Sequence, residues 1–143
     1  MLIVERAPAD AELAALLDAA FAELVARYGP EGRSSVHPDA RFMVAVIDEV
    51  AAGCAAVQPG EGGTSELKRM FVLPGHRGRG VARSLLKALE EFAAGLGYER
   101  MRLATGLRQP EAIALYESSG YQLTEPYGRY VGQPLVRCYA KDL

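Results

Sequence analysis

Apolar and polar residues change their spacing several times along this chain, and each change marks an element. Met1 to Arg6 is a β-prone run. It is followed by Ala7-Pro8-Ala9-Asp10, where the proline suits a helix entrance and the aspartate an N-cap. Leu13, Leu16, Leu17, Ala20, Leu24 and Tyr28 then recur at helical spacing until Gly29-Pro30, which cannot continue a helix. From Glu31 to Ala40 the residues are Gly, Ser, Pro and charge without a period, which predicts a loop of about ten residues, longer than most connections in compact domains. Loops of that length often serve a site. Phe42 to Ile47 and Val50 to Gln58 are two β-prone runs around Asp48-Glu49, a predicted hairpin.

Beyond the turn Pro59-Gly60-Glu61-Gly62-Gly63, Glu66 to Leu73 reads as an interior strand. Pro74 and the glycines break that strand, and a helix opens near Gly80 with Val81, Leu85, Leu89, Phe92 and Leu96 as its expected buried stripe. Gly97 suits its end, and Arg100 to Ala104 gives a further strand. Strand, loop, helix and strand in that order predict a crossover around a parallel pair. Gln109-Pro110-Glu111 opens a third helix carrying Ile113, Leu115 and Tyr116, closed at Gly120. Tyr121 to Thr124 and Leu135 to Lys141 complete the β-runs, joined by a loop that holds Tyr127, Gly128, Arg129, Tyr130 and Gly132.

Composition narrows the possibilities. A chain of 143 residues, half of them hydrophobic, suits one domain over 1–143. A net charge of -2 provides no global field for nucleic acid or an anionic membrane, so any anion site has to be local. No apolar stretch approaches the ~18 residues of a membrane span, and Met1 to Arg6 lacks the pattern of a signal peptide, so a cytoplasmic location is the default expectation. Cys54, Cys138, His37 and His76 do not stand at metal-ligand spacing, and no metal is expected. Both cysteines lie in apolar runs as small hydrophobes.

The residues with most chemistry are Pro74-Gly75-His76-Arg77-Gly78-Arg79-Gly80-Val81-Ala82, between a strand and a helix. A helix N-terminus exposes about four unpaired N–H groups and roughly half a positive charge, and glycine lets an anion approach the backbone. Arg77, Arg79 and Arg83 crowd that positive end, a conflict that an anionic ligand resolves, the alternative being a surface turn with solvated arginines. The lysine and hydroxyl of a P-loop are missing. So is the small third residue of a dinucleotide loop, since position 83 is arginine.

Arg77-Gly78-Arg79-Gly80-Val81-Ala82 resembles the phosphate loop of the GNAT superfamily of acyl-CoA-dependent N-acyltransferases, of the form Arg/Gln-x-x-Gly-x-Gly/Ala. Ala112-Ile113-Ala114-Leu115-Tyr116-Glu117-Ser118-Ser119-Gly120-Tyr121 resembles a second feature of that family. The resemblance implies an α/β (α+β) fold: a mixed, mostly antiparallel central sheet with a splayed parallel strand pair, flanked by helices. It implies acetyl-CoA as cofactor, its pyrophosphate on residues 77–83 and its pantetheine arm along Met70, Phe71 and Val72 like an added strand.

By the same resemblance Glu66 is the general base, Tyr116 donates a proton to the departing thiolate, and Gln109, where many relatives carry asparagine, stands near the cofactor. Glu66 has an alternative as a structural partner of Lys68 or Arg69, and Tyr116 as a core residue. Loops over the sheet end commonly make acceptor pockets, which puts Arg33, Ser34, His37, Tyr127, Arg129 and Tyr130 at the acceptor. The implied partner is an amine of a small molecule, amino acid or peptide, and the competing function is a non-catalytic CoA sensor or interaction module. A homodimer is expected through a sheet edge at Leu135 to Tyr139.

Overall fold

Asp10 starts the first helix as its position predicts: its carboxylate accepts the Leu13 N–H at 3.0 Å. In the computed structural model, which describes residues 1–143, the strands are β1 (Leu2–Arg6), β2 (Arg41–Ile47), β3 (Val50–Pro59), β4 (Thr64–Val72), β5 (Arg100–Gly106), β6 (Gln122–Thr124) and β7 (Val136–Asp142). The helices are α1 (Ala11–Tyr28), α2 (Val81–Gly95) and α3 (Pro110–Ser118). The strands form one sheet in the order β1-β2-β3-β4-β5-β7-β6, with β4 and β5 its parallel pair. Among the described residues no helix is long and apolar enough to cross a membrane.

The period-two alternation of β2 and β3 divides the core between the two faces of the sheet. Phe42, Val44, Cys54 and Ala56 pack with Leu13 and Leu16 of α1, whereas Met43, Ala45, Ala55 and Val57 pack with Leu85, Leu86 and Leu89 of α2. Leu85 and Leu89 are fully buried, and burial of each side chain contributes about 1.5–3 kcal/mol. Leu96 is not part of that stripe: α2 ends at Gly95, and the Leu96 side chain is 52% exposed. Ala93 takes the last buried position instead.

Two departures from a regular sheet shape the molecule. Opposite β3, strand β4 carries one extra residue, because Cys54 faces Phe71 while Ala56 faces Lys68. The bulge sets Arg69 at φ +59°, a left-handed conformation that L-residues other than glycine seldom adopt. The parallel pairing of β4 with β5 is also short, covering Thr64–Arg100, Ser65–Met101 and Glu66–Arg102. Finally, β7 lies between β5 and β6, and β6 pairs with it only from Cys138 to Ala140. Within Leu135 to Tyr139, Cys138 and Tyr139 are therefore covered on both sides, whereas Val136 and Arg137 pair on the β5 side alone, and the sheet ends at β1 and β6.

Candidate active site

Past Glu66, β4 stays with β3 and β5 stays with β7, so the two parallel strands diverge. Between them lies a cavity of about 940 Å³, in the size range of small-molecule sites. Met70, Phe71 and Val72 line one wall, Leu103 to Gly106 the other, and α3 adds Leu115 and Tyr116. The last turns of α1 line the cavity as well, through Leu24, Arg27 and Tyr28. Tyr28 Oη accepts the Arg108 N–H at 2.9 Å, and the Arg108 guanidinium donates to the Arg27 carbonyl at 2.7 Å. Tyr28 can approach β5 this closely because position 106 is glycine, where a Cβ would collide with the phenol.

The glycine loop meets the cavity at the start of α2. Gly78 and Gly80 have φ of +78° and +79°, and a Cβ at either would point into open space. No side chain caps α2 and its first turn holds no acid. Its first internal bond runs from the Ser84 N–H to the Gly80 carbonyl at 3.0 Å, so the amides before Ser84 are available to an anion. Gly78, Gly80, Val81, Ala82 and Arg83 line the cavity, whereas Arg79 is exposed and outside its lining. Arg77 turns back, donating to the Val72 carbonyl at 2.9 Å and to Glu23 at 2.6 Å. Arg83 ties α2 to the end of α3 through Ser118 at 2.9 Å and Ser119 at 3.1 Å. Gln109 precedes α3 without a side-chain cap bond and lines the cavity. An uncapped helix end opening into a slot between diverging strands fits a cofactor with a pyrophosphate and a slender arm.

At the opposite end Glu66 is 6% exposed and Lys68 is 8% exposed, both on the α1 side of β4. The Glu66 carboxylate lies 3.5 Å from Arg102 and 3.9 Å from the Lys68 ammonium. Lys68 also donates to Ser34 Oγ and to Tyr130 Oη, the latter at 3.2 Å. Arg33, Ser34, Arg129 and Tyr130 line this end, so the loops before β2 and before β7 do meet at Glu66. Tyr127 is not in the lining. Its ring lies 3.9 Å beneath the Arg102 guanidinium, and its hydroxyl and Arg102 Nε are buried without partners. His37 is also outside, its Nδ1 accepting the Asp39 N–H at 2.9 Å in a turn of its own.

Tyr116 is 5% exposed, lines the cavity, and packs edge-on against Tyr121 with ring centroids 5.9 Å apart. Burial raises its pKa, so the phenol keeps its proton well beyond neutral pH. Both cysteines are buried and free. Among the described residues no group of three or more His, Cys, Asp or Glu side chains is placed to hold a metal ion.

Three contributors do not stand out in the sequence: Lys68 and Arg69 as cavity residues, and the Tyr28–Arg108 clasp. Lys68 had a signal, since it follows Glu66 by two residues and so shares its strand face. Arg69 joins that side through the bulge, and Arg108 meets Tyr28 through tertiary packing, neither of which leaves a sequence period.

Comparison with known proteins agrees with this architecture. Residues 10–121 match the acetyltransferase (GNAT) family. The chain is 41% identical to an IAA acetyltransferase of Azospirillum brasilense over 107 residues, 74% of this chain and 70% of that one. The next two curated relatives are an uncharacterized N-acetyltransferase of Schizosaccharomyces pombe and one of Bacillus subtilis, of whose lengths the match spans 65% and 66%. A solved Klebsiella pneumoniae structure, provisionally assigned as an acyl-CoA N-acyltransferase, superposes with a TM-score of 0.86 at 33% identity, covering 99% of this chain and 97% of that one. A GNAT acetyltransferase of Elizabethkingia anophelis solved with acetyl-CoA bound shares the fold, with a TM-score of 0.75 at 18% identity over 99% of this chain and 97% of that one. With the divergent parallel pair, the glycine loop and these matches together, the chain belongs to the GNAT family of acyl-CoA-dependent N-acetyltransferases.

Proposed function

We propose that this chain, as one domain over 1–143, moves an acetyl group from acetyl-CoA to a primary amine of a small molecule, amino acid or peptide by direct attack in a ternary complex. The observation that carries the reading is continuity: one cavity joins the uncapped start of α2 to the Glu66 carboxylate. When bound, acetyl-CoA supplies an activated acyl thioester. Gly78, Gly80, Val81 and Ala82 offer main-chain N–H groups to its pyrophosphate, and the unpaired edge of β4 from Met70 to Val72 offers main-chain groups to its arm.

An alkylamine of pKa ~10.4 is neutral in only about one molecule in a few thousand at pH 7, so the acceptor needs a proton removed. Glu66, buried at the acceptor end, takes that proton directly or through water. Tyr116, whose proton is retained by burial, donates toward the leaving sulfur.

The test is thiol release with acetyl-CoA and an amine panel, beside calorimetry with CoA alone. Glu66→Gln is expected to lower kcat by about 10²- to 10⁴-fold with CoA affinity kept, and Tyr116→Phe to lower kcat without changing acceptor KM. Unchanged rates and pH profiles in both variants would remove these residues from the mechanism. A second reading has one observation in its favour: Glu66 already lies between Arg102 and Lys68, as a structural carboxylate would. Tight CoA binding without turnover of any amine would select that reading, a non-catalytic CoA sensor.

A further inference from the structure

Four cations, Arg33, Lys68, Arg69 and Arg129, gather at the Glu66 end of the cavity. Their contacts are mostly not to carboxylates. Arg69 donates to the Ser34 carbonyl at 2.6 Å, and Arg129 to the carbonyls of Arg33 at 3.0 Å and Glu31 at 3.5 Å. The Arg33 guanidinium lies 4.6 Å over the Phe21 ring. Among the described residues these three arginines form no ion pair, and neither does Glu31, the exposed carboxylate that lines the cavity beside them, so the four cations outnumber Glu31 and Glu66. The carboxylate within reach of Lys68 is Glu66, at 3.9 Å, and Glu66 lies nearer to Arg102, at 3.5 Å.

This excess of positive charge is held against two opposing effects. Arg69 occupies a left-handed backbone conformation at φ +59°, sterically disfavoured for arginine. Burial first, and then the charge of Arg33, push its pKa down, so its cation is disfavoured where it stands. The phosphate end does not need these charges: Lys68 and Arg69 precede Val72 by three or four strand positions, about 10 Å or more from the strand end that leads to the glycine loop. A second anion at the Glu66 end relieves the burden.

We infer that the acceptor is an amino acid whose carboxylate is held by Arg69 and Arg129, with Lys68 and Arg33 adding to the field, while its amine faces Glu66. The inference rests on the acyl-transfer reading above and narrows it. Arginine forks match a carboxylate with two parallel hydrogen bonds, and the same four cations repel polyamines and aminoglycosides.

Thiol release with acetyl-CoA is measured for the twenty amino acids, each beside its carboxamide, together with spermidine and an aminoglycoside. At least one amino acid is expected to exceed its carboxamide in kcat/KM by about 100-fold or more, with the polycations inactive. Arg129→Gln is expected to raise the KM of that amino acid by about 10- to 100-fold, to shrink its advantage over the carboxamide, and to leave the KM of acetyl-CoA unchanged. Arg33→Gln, at a second exposed position, is expected to act in the same direction. Carboxamides or polycations used as well as amino acids would overturn the inference. If no amine turns over, calorimetry on CoA-saturated protein decides, with N-acetylated amino acids against N-acetylated carboxamides as probes. Binding of the acids alone supports the inference, and equal binding or none overturns it. CoA calorimetry separates the two readings, because protein that fails to bind CoA refutes the transferase reading whatever the carboxylates do.

Discussion

Gly53→Ala tests how the fold holds the phosphate loop in place. Gly53 sits on β3 beside Val72, and a Cβ there would lie 2.9 Å from the Phe71 carbonyl oxygen, 3.2 Å from Val81 Cγ1 and 3.3 Å from Leu85 Cδ1. The first contact is to main chain in the sheet and cannot be relieved by a rotamer change, so β4 or α2 has to shift by a few tenths of an ångström. Overpacking of this kind costs about 1–3 kcal/mol. The alanine regains about 0.4–1 kcal/mol by restricting the unfolded chain. The net loss is about 0–2.6 kcal/mol, which for a domain of this size lowers Tm by up to roughly 10 °C. Val81 is the first residue of α2 and follows Gly80, so the same shift moves the amides offered to the cofactor. The expected result is a several-fold rise in acetyl-CoA KM with acceptor KM unchanged, read by thermal melts and thiol release. Gly95→Ala is the control of opposite sign: nothing lies within 4 Å of its Cβ, and at the end of α2 it is expected to raise Tm by a few degrees through helix propensity. A Gly53→Ala protein with unchanged Tm and cofactor KM would refute the claim that close packing of β3 on α2 sets the loop.

Two further outcomes follow from the electrostatics. The Leu13 N–H, and after burial opposes it the Arg6 side chain, hold the Asp10 carboxyl below its ordinary 3.8, so its stabilising contribution is complete above that value and is lost as pH falls through the lower folded value. Asp10→Ala is therefore expected to lose stability at pH 7 and to approach the parent only as pH falls below 3.8 and through the lower folded value in denaturant titrations, and a gap independent of pH would refute this. Burial pushes the Cys54 thiol up to about 12 and raises Cys138 as well. Iodoacetamide at pH 8 is expected to modify both slowly in the native protein and rapidly in denaturant, and a fast native reaction at either would contradict their placement.

What could be read from the sequence depended on whether the cause was local. The start of α1 was legible because Asp10 and the Leu13-Leu16 spacing act within a few residues. The loop between β4 and α2 was legible because glycines between a strand and a helix are a local signature, and two of them, Gly78 and Gly80, take left-handed conformations. The interior place of β7 was not, since strand order is decided by which surfaces meet after the chain has folded back. Leu96 fits the helical period, but α2 ends one residue earlier and the side chain turns to solvent. Arg77 belongs to the loop motif, yet its guanidinium is taken by Glu23 of α1, sequence-distant by 54 positions. Tyr127 and His37 lie on the expected loops and miss the cavity because side-chain direction in irregular segments has no period to read.

The two ends of the cavity are made of different material, and this has a consequence for how specificity is set. At the phosphate end and along β4 the groups on offer are main-chain N–H and C=O, exposed because β4 and β5 stop pairing after Glu66–Arg102. Such groups depend on backbone geometry and tolerate side-chain change, so on the acyl-transfer reading cofactor use follows from the fold. At the Glu66 end the groups on offer are side chains, Lys68 and Arg69 from the bulged strand and Arg33 and Arg129 from loops. The bulge is what gives β4 two successive cationic side chains on the α1 side, where a regular strand would have sent Arg69 to the opposite face. On the amino-acid reading, substitution of Arg33 or Arg129 changes which acceptor is held without moving the strand that receives the cofactor. Removing the bulge, by deleting Arg69, is expected instead to shift Lys68 against Val72 by one position and to impair both ends together.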